Sequence, residues 1–298
     1  MRDGLLVVDK QGAWTSHDVV AKLRGIFGQR RVGHAGTLDP DATGVLLVGL
    51  GRVTRLLRFL QEAGKTYRAR VQFGIATETL DASGAVLERT EMPFTRERLD
   101  AAALAFLGDI EQVPPMVSAI KVGGRKLYEL AREGKEIERA PRAVRIDSLI
   151  IEEFAPGGYP EATLRVDCSS GTYIRTLAAD LGTALGGCAH LKELRRTRVG
   201  PFTIDEAHTL DEIAADPDQF VLSAADAVRD LEAVSVDGDV ARAIAHGATF
   251  AASAFLAEDA GAGPYAVVDD RRTLLAIYER RGAGVKPAVV LAAEGIAS

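Results

Sequence analysis

The sequence predicts an α+β protein built around a largely antiparallel sheet. Two segments alternate apolar and polar residues as half-buried strands do, and others repeat apolar residues at helical spacing. The two kinds of segment follow one another without regular strand–helix–strand units, which favours α+β over α/β. The chain has 298 residues, 47% hydrophobic and 26% charged, a composition typical of a globular protein with an ample core.

The first 74 residues are predicted to contain a strand, a helix and a second strand. Residues 5–8 form a short apolar run, typical of a buried strand. Residues 18–27 have helical spacing and follow Thr15 and Ser16, either of which can cap a helix. Residues 66–74 alternate, and the apolar face of this predicted strand carries Tyr67, Ala69, Val71 and Phe73.

The middle of the chain continues with a helix, a strand and a helix. Residues 96–107 have helical spacing, with Leu99, Ala103 and Phe106 on one side. Residues 162–168 alternate again, as a strand does. After a break at Gly171, residues 172–185 are predicted to be helical, with Ile174, Leu177, Ala178, Leu181 and Leu185 facing inward.

The composition shifts near residue 230, and we predict a domain boundary there. From Asp226 onward the chain has 7 basic and 11 acidic residues. This part contains a helix-like segment at 239–246 and strand-like runs at 265–268, 274–278 and 288–291. We therefore expect a catalytic or binding domain over residues 1–230 and a small β-barrel-like domain over residues 231–298.

A glycine-rich loop places one carboxylate on irregular backbone. Gly33, Gly36 and Gly44 permit unusual dihedral angles, and Pro40 disfavours the helical region for Asp39. A carboxylate held in this way can approach a ligand closely. The alternative, which the local sequence alone favours, is that Asp39 caps a helix whose first residue is Pro40.

Positive charge is concentrated around this loop. Residues 22–70 carry net charge +7 and residues 121–146 net charge +4, although the whole chain is −6. Such a polarised distribution attracts polyanions such as nucleic acid. The three-residue spacing of Arg52, Arg55 and Arg58 is typical of one solvent-exposed face.

Several classes of protein are disfavoured. Two cysteines, Cys168 and Cys188, are too few for a disulfide framework, and the five histidines show no metal-binding spacing. Nucleotide-binding glycine motifs are absent from the sequence, so we expect neither a metal nor a cofactor. The chain shows neither a secretory leader nor a long apolar segment, which predicts a cytoplasmic protein without membrane contact.

Short motifs lie in a fixed order between residues 5 and 210. They are Asp9-Lys10, Thr15-Ser16-His17-Asp18, the loop GHAGTLDPDATG at 33–44, Lys65-Thr66-Tyr67-Arg68-Ala69, Gln112-Val113-Pro114-Pro115, Ser118-Ala119-Ile120-Lys121, Gly124-Arg125-Lys126-Leu127-Tyr128, Cys168–Leu177 and His190–Arg196. Together they resemble the TruB family of tRNA pseudouridine synthases. Because several independent motifs match in one order, the resemblance is specific.

The resemblance implies a fold and a reaction. The fold would be the pseudouridine-synthase fold, with a small RNA-binding domain of the PUA type at the C-terminus. The reaction would convert the uridine at position 55, in the T-arm loop of tRNA, to pseudouridine. The base would be flipped out of the RNA and isomerised without a cofactor, and Asp39 would be the nucleophile. We expect tRNA as the partner, no obligate protein partner, and a monomer.

Two further catalytic residues follow from the same resemblance. Arg175 lies in the first turn of a predicted helix, where a cation opposes the helix dipole. We hypothesise that it pairs with Asp39 and lowers the pKa of that carboxyl; the alternative is pairing with Asp180 or an RNA phosphate. Tyr67 would stack on the flipped uracil, whereas its position on an apolar face alone favours a core tyrosine.

The remaining predicted site residues contact RNA. By the resemblance, Tyr173 and Leu194 are walls of the base pocket and His34 wedges into the RNA loop. The basic segment 121–146 would clamp the RNA arm. The candidates for contact with the RNA backbone are Lys10, Lys121, Arg125, Lys126, Arg132, Arg142, Arg195, Arg196 and Arg198.

The residues alone leave two other functions possible. One is a non-catalytic RNA-binding protein that has the same basic surface. The other is a hydrolase of glycosidic bonds, for which Asp41 is the nearest candidate for the second carboxylate. Within the recognised family, a relative that depends on a guide RNA and partner proteins is the main alternative.

Overall fold

The computed structural model describes residues 2–116, 121–122, 125–126 and 137–291. The first elements are β1 (Gly4–Lys10), α1 (Ser16–Ile26), β2 (Val32–Ala35), β3 (Thr43–Leu50), α2 (Leu57–Glu62), β4 (Lys65–Phe73), β5 (Ile75–Thr77), β6 (Val86–Arg89), α3 (Arg96–Leu104), β7 (Gly108–Gln112), β8 (Lys121–Val122) and β9 (Arg125–Lys126). There follow β10 (Arg142–Ala155), β11 (Glu161–Cys168), α4 (Ile174–Ala184), β12 (Ala189–Val199), β13 (Phe202–Thr203) and α5 (Leu210–Ala215). The last are β14 (Glu232–Ser235), α6 (Gly238–Ala245), β15 (Phe250–Ala251), α7 (Ala252–Phe255), β16 (Tyr265–Val268), β17 (Leu274–Arg281) and β18 (Gly284–Val290).

Nearly half of the basic segment 121–146 lies outside the described residues. Arg132 is among the predicted contacts that fall there. At Lys121, Arg125 and Lys126 the structure describes only the backbone of the short hairpin β8–β9.

One large sheet organises the first 203 residues. Its strands follow the order β1-β3-β12-β4-β11-β10-β7, with β2 paired to β3 and β13 paired to β12. The pairs in this sheet are antiparallel except for β3 and β12, which run parallel where Thr43 faces Arg195. This confirms the prediction of an α+β protein with a largely antiparallel, mixed sheet flanked by helices.

The predicted strands and helices are confirmed, with small shifts at their ends. The α1 helix begins at Ser16 because the Thr15 hydroxyl accepts from the Asp18 N–H while the Asp18 carboxylate accepts from the Thr15 N–H. The α3 helix ends at Leu104, three residues earlier than predicted, where the chain turns into β7 through Gly108 at φ +85°. Phe106 still packs against the core from this turn.

The main core lies between α4 and the apolar face of β4 and β11. Ala69, Val71 and Phe73 of β4 are completely buried there, as the alternation of this strand predicts. Leu177 and Leu181 pack against them from α4, so the burial of about four apolar side chains fixes this helix on the sheet. The first turn of α4 is thereby placed next to the loop that carries Asp39.

The C-terminal part forms a second, five-stranded sheet with the order β14-β16-β17-β18-β15. This confirms the predicted small β-rich unit. Its apolar face continues the core of the large sheet, since Ile277 and Leu291 belong to the same buried cluster as Leu5 and Val45. The domain boundary near residue 230 stays a prediction.

Three arginines between β3 and β4 contact the C-terminal sheet. Arg55 and Arg58 are exposed and Arg52 is half-buried, so the predicted solvent-exposed face is confirmed for Arg55 and Arg58. Arg52 donates to the carbonyl of Leu291 over 2.8 Å, and Arg55 donates to the carbonyl of Val290 over 2.6 Å. Arg58 lies 3.8 Å from the Glu279 carboxylate. Arg52 and Arg55 thus also bind carbonyls at the end of β18, a contact that the sequence pattern does not show.

Candidate active site

Asp39 lies in the connection between β2 and β3. These strands pair antiparallel, with His34 opposite Val48 and Ala35 opposite Leu47. Residues 36–42 must therefore close a hairpin, and the structure contains no helix there. The alternative in which Asp39 caps a helix is wrong, because the chain has to return directly into β3.

Two glycines permit this connection. Gly36 adopts φ +81° and Gly44 φ +99°, a region that side chains disfavour. A Cβ atom on Gly44 would lie 2.2 Å from the carbonyl oxygen of Arg196 in the neighbouring strand β12. The glycine-rich composition of the loop thus reflects both the dihedral angles and the close approach of two backbones.

We expect the variant Gly44→Ala to lower the free energy of unfolding by about 3 kcal/mol, because it adds both a clash with backbone and a strained φ. Gly25→Ala is the matched control, since that glycine lies in α1 with no atom within 4 Å of the added Cβ. There alanine should stabilise the helix by up to about 1 kcal/mol. Urea denaturation measures both changes, and equal effects at the two positions would contradict this explanation.

Two buried side chains, Ser16 and Lys10, bind the backbone of the Asp39 loop. The hydroxyl of Ser16 accepts from the Leu38 N–H over 2.9 Å and donates to the Leu38 carbonyl over 3.3 Å. The Lys10 ammonium donates to the carbonyls of Pro40 (2.8 Å) and Trp14 (2.6 Å). Lys10 is completely buried, and burial lowers its pKa to about 8. The prediction that Lys10 contacts the RNA backbone is therefore corrected: it positions the loop.

Arg175 reaches Asp39 from the first turn of α4. Its Nε lies 3.1 Å from Oδ2 of Asp39, and its Nη2 donates to Oδ1 over 3.3 Å. This is the two-pronged pairing that a guanidinium and a carboxylate prefer. The Arg175 side chain is 5% exposed, so the guanidinium is shielded from bulk water, whereas the Asp39 carboxylate faces the cleft. The pair predicted from sequence is present, across 136 residues of chain.

A second carboxylate, Asp81, shares the same guanidinium. Arg175 Nη1 lies 3.3 Å from Oδ2 of Asp81 and donates to the carbonyl of Thr79 over 3.3 Å. The turn between β5 and β6 fixes Asp81, whose Oδ1 accepts from the backbone N–H of Ser83 over 3.0 Å. Sequence reasoning missed this residue, because Asp81 has the local signature of an ordinary turn residue.

The pKa of Asp39 is raised above its usual range. Burial by the surrounding walls is the main cause; Arg175 opposes the rise, and the negative charge of Asp81 adds to it. As hypothesised from the sequence, Arg175 lowers the pKa of Asp39. Burial and Asp81 outweigh this effect, so Arg175 limits the rise in pKa without reversing it.

We expect Asp81→Asn to move the acid limb of the reaction rate to lower pH. Catalysis by ionised Asp39 is lost as the pH falls through its pKa, and the variant removes a charge that raises this pKa. Glu193→Gln is the control, because Glu193 lines the same cleft but pairs with Arg70 at 3.1 Å. Single-turnover rates between about pH 4 and 8 test this. A limb that moves equally in both variants would argue against the role of Asp81.

An open cleft of about 1110 Å³ leads to this site. The Asp39 side chain is 43% exposed at its edge, so the carboxylate can meet a ligand. Leu194 also lines the cleft, where the resemblance implies a wall of the base pocket. Other residues that line it are Asp41, Thr43, Arg68, Arg70, Asp81, Arg175 and Arg195.

Tyr67 is buried in the core next to the site. Its side chain lies on β4 opposite Arg196 of β12, and the residue is 7% exposed. Burial raises the pKa of the Tyr67 phenol, and the charge of Arg196 opposes that rise. The core position favoured by the residues alone is observed, and stacking on a flipped uracil stays a prediction.

Tyr173 and His34 lie on the two elements that lead to Arg175 and to the Asp39 loop. Tyr173 immediately precedes α4, and its backbone N–H donates to the side chain of buried Gln112 over 2.9 Å. Gln112 thus anchors the helix start that carries Arg175, a role that sequence reasoning missed. His34 lies in β2 with its ring 6.3 Å from that of His17, and burial lowers the pKa of His34.

The arginines predicted to contact the RNA backbone differ in exposure and in ion pairing. Arg196 is 1% exposed, so its assignment to a phosphate is corrected. Arg195 pairs with Asp9 at 2.8 Å, and Arg198 pairs with Asp167 at 3.2 Å. Arg142 is exposed at the start of β10. Among these four arginines, Arg142 presents the most accessible charge.

Within the part of the chain that the structure describes, no three histidine, cysteine or acidic side chains form a group that could hold a metal ion. Nor does any helix there combine the length and the apolar character needed to span a bilayer.

Two family models match consecutive parts of the chain. Residues 24–174 match the TruB family pseudouridylate synthase (N terminal domain), and residues 175–229 match the tRNA pseudouridylate synthase B C-terminal domain. The chain is 44% identical to a tRNA pseudouridine synthase B of Thermobifida fusca, over 98% of this chain and 99% of that protein. It is 49% identical to the same-named protein of Symbiobacterium thermophilum, over 82% of each.

Solved structures agree with these matches. One similar chain belongs to an H/ACA RNP bound to a substrate RNA that contains 2′-deoxyuridine; the TM-score is 0.75 and the identity 25%, over 98% of this chain and 86% of that one. Another belongs to a Cbf5-Nop10-Gar1 complex, with TM-score 0.76 and 26% identity, over 96% of this chain and 84% of that one. The family models and the near-full-length relatives lead to one conclusion: the chain belongs to the TruB family of pseudouridine synthases.

Proposed function

We propose that this protein converts a uridine of tRNA to pseudouridine, with Asp39 as the nucleophile. The observation that carries the proposal is the ion pair between Asp39 and Arg175 at the edge of an open cleft. Relatives that match nearly the whole chain are named tRNA pseudouridine synthase B, which supports the substrate class. We assign the uridine at position 55 in the T-arm loop as the target.

The chemistry requires no cofactor. The bond between uracil N1 and ribose C1′ breaks, the base turns, and a bond forms between C5 and C1′. N1 gains a proton and C5 loses one, so substrate and product are isomers. A carboxylate suits this reaction because it can attack carbon and then leave. Arg175 keeps Asp39 oriented and favours its ionised form.

The substrate has to be flipped out of its loop to reach Asp39. Flipping a nucleotide costs a few kcal/mol, and one stacking contact with an aromatic ring returns about 1–3 kcal/mol. We propose Tyr67 as this ring, Tyr173 and Leu194 as further walls, and His34 as the wedge that supports the flipped state. The segment 121–146 and Arg142 would hold the RNA backbone.

We propose that the protein acts as a single chain, as a monomer and in the cytoplasm. The structural neighbours with RNP titles are 25–26% identical to this chain. The relatives named tRNA pseudouridine synthase B are 44–49% identical. The higher identity favours the stand-alone enzyme over the guide-dependent type.

The test is to incubate the purified protein with an unmodified tRNA transcript and to map pseudouridine at nucleotide resolution. We expect one pseudouridine, in the T-arm loop, and none when that uridine is replaced by cytidine. Binding without isomerisation would favour an RNA-binding protein. Release of free uracil would favour a hydrolase. Activity that requires an added guide RNA would contradict the single-chain proposal.

A further inference from the structure

Arg196 is the largest side chain that the described part of the protein buries completely. It lies on β12 directly opposite Tyr67 of β4. Its guanidinium carries a positive charge. Within the described residues, its hydrogen bonds go to backbone carbonyls and it forms no ion pair with a carboxylate. Burying such a charge is costly, so its presence calls for a role that an apolar side chain could not fill.

The hydrogen bonds of Arg196 hold both ends of the loop that carries Asp39. Nη2 donates to the carbonyl of Gly36, where the chain leaves β2, over 3.1 Å. Nε donates to the carbonyl of Val45, where the chain has entered β3, over 2.7 Å. The forked guanidinium bridges two points that a single ammonium could not reach together. The backbone of Arg196 also packs tightly against Gly44.

The same guanidinium acts on the Tyr67 phenol. Its charge opposes the rise in the pKa of Tyr67 that burial causes, and the two residues are direct cross-strand partners on β12 and β4. Arg196 therefore links the loop of Asp39, to which it is hydrogen-bonded, with Tyr67 on the neighbouring strand.

We propose that Arg196 is a positioning residue that sets the Tyr67 hydroxyl relative to the Asp39 loop during isomerisation. This inference rests on the proposed function. It assigns Arg196 to the reaction itself, whereas the sequence suggested a phosphate contact. A displacement of about 1 Å in a group that takes part in a reaction can lower the reaction rate about 100-fold.

The test is a double-mutant cycle with Tyr67→Phe. Arg196→Met should lower the single-turnover rate at saturating tRNA about 100-fold, while the Kd for tRNA stays within about threefold. In the Tyr67→Phe background the same substitution should cost less than about tenfold, because the hydroxyl on which Arg196 acts is gone. Arg165→Met is the control: this exposed arginine lies on β11, next to β4, and its loss should leave the rate unchanged.

Three outcomes would overturn the inference. In the first, Arg196→Met loses affinity for tRNA and single-turnover rate equally. In the second, Arg196→Met lowers the rate as much in the Tyr67→Phe background as in the wild type. In the third, Arg196→Met leaves the rate unchanged. Circular dichroism checks folding. If Arg196→Met does not fold, Arg196→Lys takes its place, since it keeps the charge and loses the fork; a wild-type rate in that variant overturns the inference. An inactive wild-type enzyme would instead refute the proposed function.

Discussion

Replacing Asp39 with asparagine should lower the rate of isomerisation by at least about 10⁴-fold, while tRNA still binds. Asparagine keeps the size of the side chain and its contact with Arg175, but it lacks the negative oxygen that attacks carbon. The rate can be measured as tritium released from C5 of labelled uridine in a single turnover. The Kd for tRNA, from filter binding, should change by no more than about threefold.

Asp41→Asn is the matched control for this variant. Asp41 lies two positions along the same loop and lines the same cleft. The proposed reaction uses one carboxylate, so this variant should keep the rate within about tenfold of the wild type. If Asp41→Asn is as damaging as Asp39→Asn, a mechanism with paired carboxylates, as in glycosidases, becomes the better account.

Replacing Arg175 with leucine should lower the single-turnover rate about 10³-fold and leave the Kd for tRNA nearly unchanged. The side chain is 5% exposed and engages Asp39, Asp81 and the Thr79 carbonyl, so it makes no predicted contact with phosphate. Without Arg175, the pKa of Asp39 should rise further, because its positive charge would no longer oppose the effects of burial and Asp81. A smaller fraction of the enzyme would then hold ionised Asp39 at a given pH.

We expect Arg142→Met to show the opposite pattern, a loss of tRNA binding without a loss of catalysis. Arg142 is exposed at the start of β10. Its loss should weaken tRNA binding and reduce the salt dependence of binding by about one unit of slope, while the rate at saturation stays the same. If Arg175→Leu also lost affinity and rate in equal measure, the pairing with Asp39 would not be its function.

Much of the fold could be predicted from local patterns. The alternation over residues 66–74 predicted β4 and the face that it buries, because a period of two maps directly onto the two sides of a sheet. The glycines of the Asp39 loop indicated irregular backbone, and Gly36 and Gly44 have positive φ. The pair of Asp39 and Arg175 came from the family resemblance together with a misplaced cation at a helix start.

The fate of individual charges could not be predicted in this way. Lys10 and Arg196 read as basic surface residues, yet both are buried and bind backbone carbonyls. Arg52 and Arg55 likewise bind carbonyls at the end of β18. A sequence gives the position of a cation along the chain. It does not show which backbone carbonyls lie near that cation in the fold, because those carbonyls come from distant strands and loops.

The pKa of Asp39 illustrates the same limit. The nearby guanidinium alone implies a low pKa, and the sequence pointed to that cation. The net direction is upward because burial is the larger effect and Asp81 adds a like charge. Both causes depend on the three-dimensional packing of the β5–β6 turn and the Asp39 loop, which no local pattern encodes.

The most direct test of the central claim is to measure the ionisation of Asp39. NMR titration of protein labelled with ¹³C at the aspartate carboxyl carbons follows each group, and Asp39→Asn identifies the signal of Asp39. We expect Asp39 to be ionised at neutral pH because of the ion pair, to have a pKa above the usual 3.8 because of burial and Asp81, and to titrate at still higher pH in Arg175→Leu. A protonated Asp39 at neutral pH, or a titration that Arg175→Leu leaves unmoved, would contradict the claim.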